Sequence, residues 1–207
     1  MPAMAPPVTH IGLTGGIGSG KSTVAAFLVE AGACLVDTDA ISRSLTAPGG
    51  AALPQLAEVF GADILDASGA LNRDRMRALA FADVAARRRL EAVLHPMIGE
   101  EARRQAAAAA GRTVVFDVPL LTESSHWRAR VQRVLVVDCD EAVQRQRVMQ
   151  RSGWSAEMVD RVLAQQASRA QRRAIADAVI HNQGLALEGL RAEVLRLVAL
   201  WGCGTMV

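Results

Sequence analysis

The chain has 207 residues, 51% of them hydrophobic and 21% charged, with a net charge of +2. That length suits one α/β domain with a sub-domain and supplies enough apolar material for a core, while so small a net charge argues against a dedicated nucleic-acid binder and an aromatic content of 3% against base-stacking platforms. The three cysteines, Cys34, Cys139 and Cys203, form no CxxC pair, so neither a zinc site nor a disulfide framework is indicated, a reduced cytoplasmic setting is expected, and no segment approaches the ~20 apolar residues of a membrane span.

Residues 1–7 contain proline and alanine without a basic stretch or a long apolar run, and read as a frayed extension rather than a signal peptide. After Val8, residues 10–14 predict a short buried strand, followed by the glycine-rich loop 15–22. Val24, Phe27, Leu28 and Ala31 then recur at helical spacing, with Gly32 as the stop. Residues 33–36 predict a second strand ending in Asp37-Thr38-Asp39. This βαβ order implies a parallel sheet.

Residues 43–110 change character and read as a helical insertion. Pro48-Gly49-Gly50 is a turn, helices are predicted around 52–60 and 73–94, and Leu71-Asn72-Arg73-Asp74 is a helix start. Pro96, after His95, predicts the opening of another helix. The alanine run 106–110 continues it and Gly111 ends it. Strands resume at 113–117 and 133–138. Residues 140–151 and 155–174 predict helices; between Glu141 and Arg173, seven arginines meet three carboxylates. A last strand at 178–180 precedes Asn182-Gln183-Gly184, and a terminal helix carries Leu187, Leu190, Val194, Leu197, Val198 and Trp201 on one broad face.

Gly15-Gly16-Ile17-Gly18-Ser19-Gly20-Lys21-Ser22 matches G-x-x-x-x-G-K-[ST] in full, between a predicted strand and a predicted helix. Glycines let the backbone turn its N–H groups inward around phosphates, and the helix adds its positive end. Lys21 reaches the β- and γ-phosphates, and the Ser22 hydroxyl is the expected ligand of Mg²⁺. Lys21 is the only lysine in a chain whose other strong bases are all arginine, and it stands where a compact ammonium has to fit a tight loop. The pattern predicts an ATP-dependent kinase. Asp117, closing Val114-Val115-Phe116, is the candidate acidic partner near the metal. Asp37 and Asp39, at the end of the second strand, are the candidate groups for an acceptor hydroxyl; if the strand continues, their spacing of two puts both on one side. Arg145, Arg147, Arg151 and Arg161 lie where small-molecule kinases carry a lid that closes on the triphosphate.

The same residues resemble the dephospho-CoA kinase family from about Ile11 to Leu190. The loop with its flanks, from Gly12 to Val24, is a longer match than the phosphate loop alone. Asp37-Thr38-Asp39-Ala40-Ile41-Ser42-Arg43 resembles the family's D-x-D-x-I-x-R, and Leu94-His95-Pro96-Met97-Ile98 its H-P-x-I. Asp117-Val118-Pro119-Leu120-Leu121 resembles its D-V-P-L-L, Gln144, Arg147 and Arg151 its Q-x-x-R-x-x-x-R, and Ala176-Asp177-Ala178-Val179-Ile180 with Asn182 and Gly184 its A-D-x-V-I-x-N-x-G. The chain departs from the family at Thr122, where a bulky apolar residue usually precedes the acidic position held here by Glu123.

The resemblance implies a three-layer α/β P-loop fold with a parallel sheet of about five strands. A single domain would span 8–203: a nucleotide-binding core of 8–42, 111–140 and 176–203, a CoA-binding helical insertion at 43–110, and an arginine-rich lid at 141–175. It implies phosphorylation of the ribose 3′-hydroxyl of dephospho-CoA to give coenzyme A. Asp39 would be the base, with Lys21 and Arg147 serving catalysis. ATP would be held by Gly16, Gly18, Ser19, Gly20, Lys21, Ser22, Thr23, Arg147, Arg151 and Asn182, with Asn182 by the adenine. The acceptor would meet Asp37, Asp39, Arg43, His95 and Asp117. Partners would be these small molecules, with no nucleic acid and no membrane, and the chain would be a monomer or small homo-oligomer.

Three other readings share parts of this pattern. A kinase for a nucleoside or a sugar has the loop and lid but not the D-x-D-x-I-x-R and H-P-x-I segments. A GTPase switch needs an N-K-x-D segment, which a chain whose one lysine is Lys21 cannot contain; Asp66-Ala67-Ser68-Gly69 matches D-x-x-G only within a predicted turn of the insertion. A non-catalytic ATP binder would be suggested by loss of Asp39 or Lys21, and both are present.

Overall fold

The computed structural model describes residues 9–203. The predicted extension, Val8 and the end of the tail lie outside the described residues. The elements run β1 (His10–Gly15), α1 (Lys21–Glu30), β2 (Cys34–Asp37), α2 (Thr38–Leu45), α3 (Leu53–Phe60), α4 (Arg73–Ala82), α5 (Val84–Ala107), β3 (Val114–Asp117), α6 (Ser125–Arg128), β4 (Arg133–Asp138), α7 (Glu141–Ser152), α8 (Ala156–Gln165), α9 (Arg169–Ala174), β5 (Ala178–His181) and α10 (Leu187–Trp201). They form two compact units, one reaching to Val36 and resuming at Ala109, the other Asp37–Ala108.

The first unit is built on a five-stranded sheet in the order β2-β3-β1-β4-β5. β1 lies at its centre, parallel to β3 with Leu13 opposite Asp117 and parallel to β4 with Leu13 opposite Leu135. β5 joins β4 in parallel, with Val137 opposite Ile180. The central strands β1, β3 and β4 are apolar nearly throughout because they are buried on both faces. Ile11, Leu13, Val115, Leu135 and Val137 bury one face against Val24, Phe27 and Leu28 of α1 and Leu190 and Val194 of α10. Each such fully buried side chain contributes about 1.5–3 kcal/mol over exposure. Parallel strands joined by helices bring every carboxyl end to one edge of the sheet, so Gly15, Asp117 and Asp138 terminate neighbouring strands.

Leu187, expected on the buried face of the last helix, is 61% exposed; it is the first residue of α10, and the inward stripe starts at Leu190. Residues 155–174 are two helices. Ser168 interrupts them with a capping box, its hydroxyl accepting from the Gln171 N–H at 3.2 Å while the Gln171 side chain accepts from the Ser168 N–H at 2.8 Å.

The second unit is helical. Leu53, Leu56, Ile64, Leu71, Met76 and Val93 form its core, with Leu90, Leu94 and Met97 packed against it. Asn72 caps α4 by accepting from the Arg75 N–H at 3.0 Å. The stretch 73–94 is divided at Asp83, whose carboxylate accepts from the Ala85 N–H at 2.7 Å and caps a new helix. Pro96 does not open a helix: it lies inside the 24-residue α5. Its ring removes one N–H from the ladder, and the apolar stripe through Leu90, Val93, Leu94 and Met97 holds the helix to the core on both sides of it. The alanine run leaves the helix after Ala107, with Ala110 at φ 51° and Gly111 at φ 81°.

Candidate active site

The glycine-rich loop joins the carboxyl end of β1 to α1, as the motif requires. Gly20 is the N-cap of α1 at φ 95°, a left-handed conformation that glycine adopts without strain. Neighbours held from distant parts of the chain fix the loop. The Asn182 side-chain amide donates to the Ser19 carbonyl at 2.8 Å, and the Arg147 guanidinium donates to the Gly18 and Ser19 carbonyls, each at 3.4 Å. The Ile17 N–H donates to the Gln166 side chain at 3.0 Å. The Ser19 N–H donates within the loop to the Gly16 carbonyl at 3.1 Å, so it is the N–H groups other than those of Ile17 and Ser19 that the loop can offer to an anion.

Lys21, in the first turn of α1, makes an ion pair with Asp117 at the end of β3. Both side chains are largely buried, so the ammonium is held in place beside the loop. Ser22, one residue further on, is exposed, and Thr23 follows it in α1. Mg²⁺ takes hard oxygen ligands and keeps several waters, so it needs only one or two protein oxygens beside phosphate oxygens. Ser22 and the Asp117 carboxylate fit that demand. Among the described residues no cluster of three or more His, Cys, Asp or Glu forms an all-protein metal cage.

The arginine-rich segment divides by partner. Arg145 pairs with Asp160 at 2.6 Å near the surface, and Arg161 donates to the Glu157 carbonyl at 3.3 Å. Arg147 turns inward to the loop, while Arg151, one turn on, is exposed. Arg169 is the best-held arginine: two of its nitrogens bond both oxygens of Asp138, at 2.9 and 2.8 Å, and a third meets Asp140. Burial works to raise the Asp138 carboxyl, but the hydrogen bonds and charge of Arg169, helped by Arg173 and His181, hold it below the ordinary carboxylate range. The Glu123 carboxylate accepts from the Ala167 N–H at 2.8 Å, tying the turn after β3 to the segment between α8 and α9. The neighbouring Thr122 hydroxyl is buried without a partner.

In the helical unit, Asp37 and Asp39 do not share a side. The strand ends at Asp37 and the chain turns directly into α2, so two residues are two helical steps of about 100° each. Asp37 is the N-cap, accepting from the Ala40 N–H at 2.9 Å, and Arg43 approaches it at 3.5 Å. Asp39, in the first turn, is exposed, with the positive helix end beside it. His95 is exposed on α5, which packs against α2. Asp37, Asp39, Arg43 and His95 thus lie on two neighbouring helices.

Sequence reasoning missed Arg169, Arg172, Asp138 and Gln166. They were visible only as members of an arginine-rich run, a strand end and an unremarked glutamine, with nothing to separate inward from outward members. The Asn182 bond to Ser19 was equally invisible, since it joins residues 163 positions apart.

The family model described as CoaE, dephospho-CoA kinase, matches residues 9–188. A dephospho-CoA kinase of Albidiferax ferrireducens is 52% identical over 190 residues, covering 90% of each chain. One of Burkholderia thailandensis is 54% identical over 187 residues, covering 90% of this chain and 92% of that one. Among solved structures, the Thermus thermophilus protein TT1252 superposes with a TM-score of 0.81 at 32% identity, covering 95% of this chain and 98% of that one.

Proposed function

The chain belongs to the dephospho-CoA kinase family, and from that premise we propose that it transfers the γ-phosphoryl group of ATP to the ribose 3′-hydroxyl of dephospho-CoA, giving coenzyme A. One observation carries the reading: a complete glycine loop closes the central strand, and the chain's only lysine is drawn to the carboxylate that ends the neighbouring strand.

The loop's inward N–H groups and the start of α1 bind the donor's phosphates, and Lys21 neutralises the β- and γ-phosphate oxygens. Asp117 keeps the ammonium oriented before the nucleotide arrives. Ser22 and the Asp117 carboxylate would hold Mg²⁺, which would supply charge neutralisation at the phosphates. Asp39 accepts the proton of the 3′-hydroxyl as that oxygen bonds to the γ-phosphorus; the bond to the β–γ bridging oxygen breaks, and ADP leaves. Arg147 and Arg151 contribute positive charge from the lid, and Arg43 and His95 contact the acceptor. Among the described residues no helix is long and apolar enough to cross a membrane.

The test is ADP release from ATP and Mg²⁺ with dephospho-CoA, adenosine and gluconate as alternative acceptors. Release only with dephospho-CoA is expected. Preferential turnover of adenosine or gluconate would retain a P-loop kinase and overturn the acceptor.

A further inference from the structure

Three residues beyond the well-paired Arg169, Arg172 presents the opposite situation. It is 5% exposed. Among the described residues no carboxylate lies within ion-pair distance of it. One terminal nitrogen donates to the Ala167 carbonyl, and Nε has no partner. The other terminal nitrogen leans over the phosphate loop, 2.8 Å from where a Cβ on Gly16 would stand. Burial pulls its pKa below the ordinary arginine value, with Asp138, Glu123 and Glu141 acting from a distance to favour the charge and Arg169 opposing it.

Further unsatisfied groups share this place. Gln144 is fully buried, neither atom of its amide has a partner, and its nitrogen lies 2.2 Å from the same point above Gly16. The Ser19 hydroxyl, in the loop itself, is also buried without a partner. A buried guanidinium without a counter-charge is strongly unfavourable, and buried amides without hydrogen bonds add to the cost. Such groups concentrated on one side of an anion-binding loop mark a site whose missing partner is an anion. Gly16 is required here because a Cβ would collide with the Gln144 amide and the Arg172 guanidinium packed against the loop.

We propose that Arg172, with the amide of Gln144 beside it, is a ligand of the terminal phosphates of the nucleoside triphosphate. This rests on ATP being the donor. The guanidinium is buried before the nucleotide arrives, so its desolvation precedes binding, and it presents forked donors to phosphate oxygens.

The experiment is calorimetric titration of the full-length protein with ATP, ADP and AMP, without acceptor, for wild type, Arg172→Met and Arg172→Lys, with melting temperatures recorded. Loss of charge-assisted hydrogen bonds predicts that Arg172→Met weakens ATP by roughly 10- to 100-fold while AMP changes little, so the ATP-to-AMP preference collapses. Arg172→Lys should retain part of it. Equal weakening of ATP and AMP in a folded Arg172→Met, or an unchanged preference, would overturn the assignment and leave Arg172 a packing residue. If Arg172→Met does not fold, Arg172→Lys decides: an intermediate preference supports the proposal and an unchanged one overturns it. Wild type that fails to bind ATP would remove the donor reading as well, whereas wild type that binds and transfers while the variants keep their preference removes only the role of Arg172.

Discussion

Replacing Arg169 by methionine leaves the Asp138 carboxylate, 2% exposed, without its main counter-charge. Two of the lost hydrogen bonds go to Asp138 and one to Asp140, whose side chain is 48% exposed and whose pairing is therefore worth little. Removing one partner of a buried pair costs about 3–5 kcal/mol. Arg173 also acts on the Asp138 carboxylate and remains in the variant, so the lower end, about 3 kcal/mol, applies. For a chain of this size that corresponds to a fall in melting temperature of roughly 6–12 °C. The folded-state pKa of Asp138 is depressed, so its contribution is present above the unfolded carboxylate pKa and is lost as pH falls through the lower folded value. The gap between wild type and Arg169→Met is therefore full at neutral pH and narrows in acid. Adding Asp138→Asn to Arg169→Met should recover stability, because it removes the stranded charge. Calorimetric melts over a pH series measure this. A neutral-pH loss under about 2 °C, below even one kcal/mol for this size, or a double variant weaker than Arg169→Met alone, would refute the reasoning.

Asp39→Asn should leave ATP affinity intact and lower kcat on the order of 10²–10⁴-fold; near-normal turnover would remove Asp39 as the base. Lys21→Arg should be close to inactive despite its charge, since the guanidinium is too broad for the loop and for the place beside Asp117, and steady-state assay of a folded variant decides it. Gly20→Ala should weaken ATP binding and destabilise by about 1–3 kcal/mol, because a Cβ there would lie 2.2 Å from the Asn182 amide that anchors Ser19; a fluorescent-nucleotide titration and a melt measure both.

The sheet was legible because buried parallel strands are written as unbroken apolar runs, and Val134-Leu135-Val136-Val137 admits little else. The phosphate loop was legible because its chemistry is local, with each residue acting through its own backbone or its immediate helix. The helical unit was less so. Pro96 carries a strong local signal for a helix start, and tertiary packing of the stripe around it prevails. Asp39 reads equally well as the end of a strand or the first turn of a helix, and only the turn at Asp37 decides. What surrounds the loop was not legible at all. Arg147, Asn182, Gln144 and Arg172 reach it from over 120 residues away, and within a run of arginines the sequence does not distinguish the one that points inward without a carboxylate.

The most direct test of the central claim is the structure of the product. Purified protein, ATP, Mg²⁺ and dephospho-CoA are incubated, and the new species is identified by mass spectrometry and phosphorus NMR. The account predicts stoichiometric ADP and a single phosphomonoester on the ribose 3′-oxygen, indistinguishable from coenzyme A. A phosphate at any other position, or ADP formed with no phosphorylated acceptor, would contradict it.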